Sequence, residues 1–224
     1  MTTTPVHITS LSDPRVDIFR NIRDKDLRGR ERLFMGESER VLRRLLLHPE
    51  RIHALFLSRQ RFDSLAGELA VLPNDVEIFV GDLETLSGVA GFHIHRGVLV
   101  AGRRLHPSEL RPVVALAHLA GKKQLRLLVA EGVTSVDNMG SLFRNAAAFN
   151  LDGVVLSPDC CDPLYRKAIR VSVGHVLSMP YAICRNWPED LLELRRVLDM
   201  QLVAAECVPG ALHLREVQWA PRAG

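Results

Sequence analysis

The 224-residue chain is 47% hydrophobic and 25% charged, with 29 lysines and arginines against 26 aspartates and glutamates, a net charge of +3. That balance is globular rather than disordered, and a chain of this length buries roughly 70% of its unfolded surface without a disulfide or metal staple. A membrane helix is excluded because the longest apolar run is Val113 to Ala117, against the ~18 residues a span needs; the threonine-rich start Met1 to Pro5 lacks the apolar core of a signal peptide.

In chain order, the first hundred residues predict a small α/β unit. Asp13 to Arg32 reads as a charged surface helix with Val16, Ile18, Phe19, Ile22 and Leu27 as its apolar positions. Glu37 to Leu47 places Val41, Leu42, Leu45 and Leu46 on one helical stripe. Ile52 to Leu57, Val76 to Val80 and Val98 to Ala101 read as strands, and Asp82 as the cap of a short helix. Gly102 to Pro107 is basic and broken by proline, which predicts a linker. The domains expected are therefore residues 1–104 and 105–224.

Beyond that boundary, strands and helices alternate. Leu125–Ala130, Val154–Leu156, Val176–Met179 and Leu202–Glu206 read as strands; Asn138–Phe149, Pro163–Val173 and Pro188–Met200 read as helices. This alternation predicts βαβ units around a parallel sheet, whose ligands sit at the carboxyl ends of the strands. The cysteines, Cys160, Cys161, Cys184 and Cys207, form no CxxC pair and are expected as reduced thiols in a cytoplasm.

The segment after Leu125–Ala130 carries the chemistry. It runs from Glu131-Gly132-Val133-Thr134 through Asn138-x-Gly140-x-x-x-Arg144. Asn138 reads as a helix N-cap, Gly140 permits close approach, and Arg144 supplies a guanidinium beyond a strand end, an arrangement suited to phosphate. Seven basic residues against Glu109 alone occupy Arg96 to Arg126, and Arg166, Lys167 and Arg170 share a predicted helix; nucleic acid is the partner such runs permit. His93 and His95 lack further ligands for a metal site. A serine hydrolase and a dinucleotide-binding dehydrogenase are unsupported, since neither Gly-x-Ser-x-Gly nor Gly-x-Gly-x-x-Gly occurs in context.

The Asn138-x-Gly140-x-x-x-Arg144 segment resembles the first motif of the SpoU (TrmH) family of RNA ribose 2′-O-methyltransferases, within the SPOUT superfamily. Asp162-Pro163-Leu164-Tyr165-Arg166-Lys167 through Gly174, with Met179-Pro180, resembles the stretch between that family's first and second motifs. Phe34-Met35-Gly36-Glu37 and His95-Arg96-Gly97-Val98 resemble the ribosomal-protein-like substrate domain often fused in front. Departures include Ser135-Val136 in place of Asp-Pro and Arg96 in place of glutamine.

The resemblance implies an α/β fold: a small ribosomal-protein-like domain, then a parallel-sheet methyltransferase domain. It implies S-adenosylmethionine as cofactor, rRNA or tRNA as partner, and a homodimer. Asn138 and Arg144 become the catalytic pair. Arg166, Lys167, Arg170, Arg103 and Arg104 become RNA-binding residues. Gly224 falls about where the family's second motif begins, so the knot-forming segment and main cofactor loops are expected to be missing, and no cofactor-binding residue is assigned. The alternative is a non-catalytic RNA-binding protein of the same descent.

Overall fold

The computed structural model describes residues 4–20, 32–205 and 208–224. In chain order the strands and helices are β1 (Val6–His7), β2 (Leu33–Glu37), α1 (Glu39–Leu45), β3 (Ile52–Ser58), α2 (Arg59–Leu69), β4 (Glu77–Gly81), α3 (Leu83–Ala90), β5 (Val98–Arg103), α4 (Pro112–Ala115), β6 (Leu125–Ala130), α5 (Val136–Ala148), β7 (Gly153–Leu156), α6 (Arg166–Val171), α7 (His175–Ser178), β8 (Tyr181–Ile183), α8 (Glu189–Leu198) and β9 (Arg222–Ala223). They pack as two compact units. Unit 1 comprises Met1–Arg104 and Asp162–Ser178; unit 2 comprises Leu105–Cys161 and Met179–Gly224.

Unit 1 is built on a mixed sheet ordered β1–β4–β3–β5–β2. β3 pairs parallel with β4 and antiparallel with β5. As a central strand covered on both faces it reads as an unbroken apolar run, Ala54 to Leu57, every residue of it buried. Its successor helix α2 starts cleanly because the Ser58 hydroxyl accepts the Arg61 N–H at 3.3 Å. Asp82 caps α3 as predicted, accepting the Thr85 N–H at 2.6 Å, and those Thr85 hydrogen bonds hold its carboxyl below the ordinary aspartate range.

The predicted helix over Asp13–Arg32 is corrected at its start. Pro14–Phe19 is a 3₁₀ helix capped by Asp13; residues 21–31 lie outside the described residues. Three residues per turn place Val16 and Phe19 on one face, both fully buried. The Phe19 ring meets Phe56 at 5.8 Å and Phe79 edge-on at 6.3 Å.

The linker prediction over Gly102–Pro107 is also corrected. β5 runs on through Arg103, with Gly102 paired to Phe34 on β2. A Cβ at Gly102 would lie 2.2–2.7 Å from the Phe34 ring. The glycine is there so that an aromatic ring can lie across the neighbouring strand, not to loosen the chain.

The inserted segment Asp162–Ser178 belongs to unit 1, where α6 packs on β2 and α7 on α1. The predicted strand Val176–Met179 is instead the helical turn α7. Adjacent Val176 and Leu177 are both buried, which an alternating strand with one covered face does not allow. Asp162 reaches Arg104 at 2.9 Å, with side chains only 8% and 13% exposed. Arg51 donates to the Leu177 carbonyl at 3.1 Å.

Unit 2 carries an all-parallel sheet ordered β8–β7–β6–β9, so the expected α/β class with a parallel sheet is what the chain forms. Phe143 of α5 packs edge-on against Tyr181 of β8 at 5.7 Å. Leu194 and Leu198 of α8 join Val155 and Ala182 in another cluster. The predicted strand Leu202–Glu206 does not form among its described residues, 202–205. Gln201 makes a single parallel bridge to Ala223, and the place beside β6 is taken by β9, with Leu125 opposite Arg222.

Candidate active site

The carboxyl ends of β6, β7 and β8 end in three loops that are bonded to one another. Gly132, with φ of 63°, donates its N–H to the Ser157 hydroxyl at 3.0 Å. Ser157 in turn donates to the Asp159 carboxylate. The Cys161 N–H donates to the Val133 carbonyl at 2.9 Å. Trp187, beyond β8, donates its indole N–H to Glu131 at 2.7 Å. A positive φ at 132 favours glycine, and a Cβ there would meet Asp159 at 3.4 Å.

The electrostatics follow from these bonds. The Ser157 hydroxyl, its own backbone N–H and the Gly132 N–H hold the Asp159 carboxyl below the usual aspartate range. Asp159 is therefore an anionic group on the sheet's carboxyl edge at neutral pH. Behind it, burial and then the charge of Asp190 push the Cys184 thiol up to about 12, so it stays protonated. Cys160 and Cys161 are half-buried thiols outside any disulfide.

α5 leaves this rim. Its N-cap is Ser135, whose hydroxyl accepts the Asn138 N–H at 3.3 Å. Asn138 is thus a first-turn residue rather than the cap predicted from its side chain, because Ser135 already has the extended backbone (φ −73°, ψ 121°) a cap needs. Met139, Gly140, Phe143 and Ala146 form the buried stripe. Asn138 and Arg144 are exposed. Six residues of helix separate them by about 9 Å along the axis and about 120° around it, so the motif brings them to one helix but not to one point. The Arg144 guanidinium has no ion-pair or hydrogen-bond partner among the described residues.

The five basic residues predicted for RNA lie in unit 1 and divide into two groups. Arg103 donates to the Glu50 carbonyl at 3.0 Å and to Ile52, and pairs with Asp75 at 3.0 Å. Arg104 holds the Leu33 carbonyl and Asp162. Both are committed to the fold. On α6, Arg166 is half-buried with its guanidinium 3.8 Å from the Phe92 ring centre, while Lys167 is exposed and Arg170 reaches Glu37 at 3.5 Å with its side chain 62% exposed. Ser157, Asp159 and Trp187 were not predicted; the cue was a Ser-Pro-Asp turn directly after an apolar strand.

Residues 126–223 match the model of the SpoU rRNA Methylase family. That segment belongs to the SpoU methylase family. It is 38% identical over 187 residues to an uncharacterized tRNA/rRNA methyltransferase of Mycobacterium bovis, a match covering 82% of this chain and 62% of that protein. It is 27% identical over 161 residues to a 23S rRNA (guanosine-2′-O-)-methyltransferase of Nitrosomonas europaea, covering 70% of this chain and 60% of that protein. The chain thus spans about three-fifths of the length of these relatives. In structure it is similar to the AdoMet-bound rRNA methyltransferase of Sinorhizobium meliloti, with a TM-score of 0.75 at 19% identity, covering 97% of this chain and 78% of that one. The SpoU match begins within β6 and includes the three bonded loops, α5 and the inserted segment Asp162–Ser178.

Proposed function

We propose that this chain is the RNA-gripping and catalytic part of an S-adenosylmethionine-dependent ribose 2′-O-methyltransferase acting on rRNA or tRNA. The observation that carries the reading is Arg144: an exposed guanidinium with no partner among the described residues, on the helix that follows a parallel-sheet strand's carboxyl end, within the SpoU-matched segment. A guanidinium is always protonated. Arg144 therefore acts by binding an RNA phosphate and stabilising negative charge as it develops on the ribose 2′-oxygen, while the hydroxyl proton leaves to solvent water rather than to the guanidinium. The exposed Asn138 amide lies nearly two turns nearer the rim, where it holds the ribose side of the same strand.

The residues present fit a cationic methyl donor in their chemistry. Glu131 and Asp159 set two carboxylates on one edge, and bonded loops hold both in place. S-adenosylmethionine supplies a sulfonium whose methyl group is transferable without a metal. The relatives' names and the AdoMet-bound neighbour in Sinorhizobium meliloti support this choice. A cytoplasmic location and a homodimer complete the proposal; sedimentation of the purified chain reads the second.

Methyl transfer from labelled S-adenosylmethionine to rRNA and tRNA tests the reading. The expected result is incorporation at a ribose 2′-oxygen that Arg144→Ala reduces by roughly a hundredfold or more with an unchanged circular dichroism spectrum. Equal turnover by the variant rejects the role given to Arg144. Binding of RNA without S-adenosylmethionine supports the non-catalytic alternative instead.

A further inference from the structure

A cavity of about 270 Å³ opens wholly within unit 1. Glu37, Ser38, Arg40, Arg96, Arg170 and Val173 line it. A second hollow of about 400 Å³ shares Arg40 and Val173 and adds Arg43 and Arg44. Five arginines therefore border the two adjoining hollows.

Most of these cations are already answered. Arg43 pairs with Glu39 at 2.7 Å and Glu68 at 2.8 Å. Arg44 bonds His175 at 3.0 Å. Glu39 is taken a second time by Arg61 at 2.7 Å, and Glu37 faces Arg170. Arg40 and Arg96 remain: both are exposed, and neither guanidinium has an ion-pair or hydrogen-bond partner among the described residues. Among the described residues the cleft thus holds two unpaired positive charges, and its one acid, Glu37, is paired with Arg170.

The backbone marks the same place. Ser38 has φ of 94° and ψ of 152°, and Val173 has φ of 54°. The first conformation is nearly exclusive to glycine; the second is unfavourable for a β-branched side chain. Both residues line the cleft. Strain held at two non-glycine positions on opposite segments of one cavity is characteristic of ligand clamps. No phenylalanine, tyrosine or tryptophan lines either hollow among the described residues; His95 is the one aromatic ring in the lining, and the arginines dominate it.

We propose that this cleft is a phosphate-binding groove for a single RNA strand, with Arg40 and Arg96 as its principal cations and Arg170 as a third, positioned by Glu37. The inference rests on the RNA-directed reading above and adds where, and through what chemistry, the strand is held. Contacts to phosphate alone position a strand without reading its sequence. The cleft therefore supplies grip, and the selection of the target nucleotide lies elsewhere.

Fluorescence anisotropy of a labelled single-stranded oligoribonucleotide, titrated with the full 224-residue chain across a salt series, tests this. Arg40→Ala/Arg96→Ala is expected to weaken binding at least about tenfold. It should also lower the slope of log affinity against log salt by about 1.4, which is two phosphates at ~0.7 each. Arg40→Lys/Arg96→Lys should restore the slope. Arg59→Ala/Arg196→Ala, which removes the same charge outside the cleft lining, should leave it unchanged. Circular dichroism checks the fold, and Arg40→Gln/Arg96→Gln repeats the measurement if the alanine pair unfolds. An unchanged slope in the cleft variants, or an equal fall in the Arg59/Arg196 control, overturns the groove while leaving RNA binding intact. A wild-type chain that binds no RNA overturns the groove and the functional reading together.

Discussion

Single side chains at the sheet's carboxyl edge behave differently because their surroundings differ by a few ångströms. Asp159 is stabilised as a carboxylate by Ser157 and two backbone N–H groups. Its folded pKa is depressed, so its contribution is present above the unfolded aspartate value, about 3.9, and is lost as pH falls through the folded value below that. An NMR titration should therefore show the Gly132 amide resonance moving only at pH below the ordinary aspartate range, and a flat response in Asp159→Asn. Cysteine reactivity divides in the same way. With Cys184 buried and its thiol pushed up to about 12, a maleimide or iodoacetamide at neutral pH should modify Cys160 and Cys161 well before Cys184, as peptide mass spectrometry would read. Faster loss of Cys184 would contradict the packing of α8 over β8. The sequence offers only the Ser157-Pro158-Asp159 turn as a cue; the bonds that separate these side chains, and the burial that separates the cysteines, come from the fold.

At the scale of elements, local pattern and tertiary demand agreed in some places and conflicted in others. Central strands β3 and β5 declared themselves as apolar runs, because a strand covered on both faces needs nothing else. The conflicts are instructive. Gly102 looked like a linker residue and is a strand residue under the Phe34 ring. Gly102→Val should destabilise unit 1 by about 1–3 kcal/mol, the usual cost of overpacking, measured as a lower midpoint of denaturant unfolding. Ser135, not Asn138, caps α5; Ser135→Ala should cost about 1 kcal/mol, while Asn138→Ala at a first-turn position should cost far less. Equal losses would restore Asn138 as the cap. Helix α7 reads as a strand in the sequence because a stretch as short as Val176-Leu177-Ser178-Met179 has no period to read. What decided it was Gly174 at φ of 79° turning the chain before it.

For the molecule as a whole, the informative feature is the reassignment of Asp162–Ser178. This segment lies in sequence between two strands of unit 2, yet its contacts belong to unit 1. The tie is ionic. Arg104 and Asp162 meet at 2.9 Å with little exposure, and removing one member of such a pair leaves a shielded charge unanswered at a cost of about 3 kcal/mol. Asp162→Ala should accordingly raise hydrogen exchange across residues 163–178 by about two orders of magnitude, with β6 and β7 unaffected. Uniform exchange would show that the pair contributes nothing local. Arg103 and Arg104, expected at an RNA surface, spend their donors on this framework instead.

By itself the sequence determined the α/β class, the parallel sheet of unit 2 and the segment carrying Arg144, because apolar period, strand–helix alternation and a short motif are local properties of a chain. Tertiary structure alone decided which cations remain available. Whether an arginine meets an RNA phosphate, a buried aspartate or a carbonyl depends on partners dozens of residues away. Arg40 and Arg96 stand open among the described residues, while Arg103 meets Asp75 and Arg104 meets Asp162 only once the chain has folded.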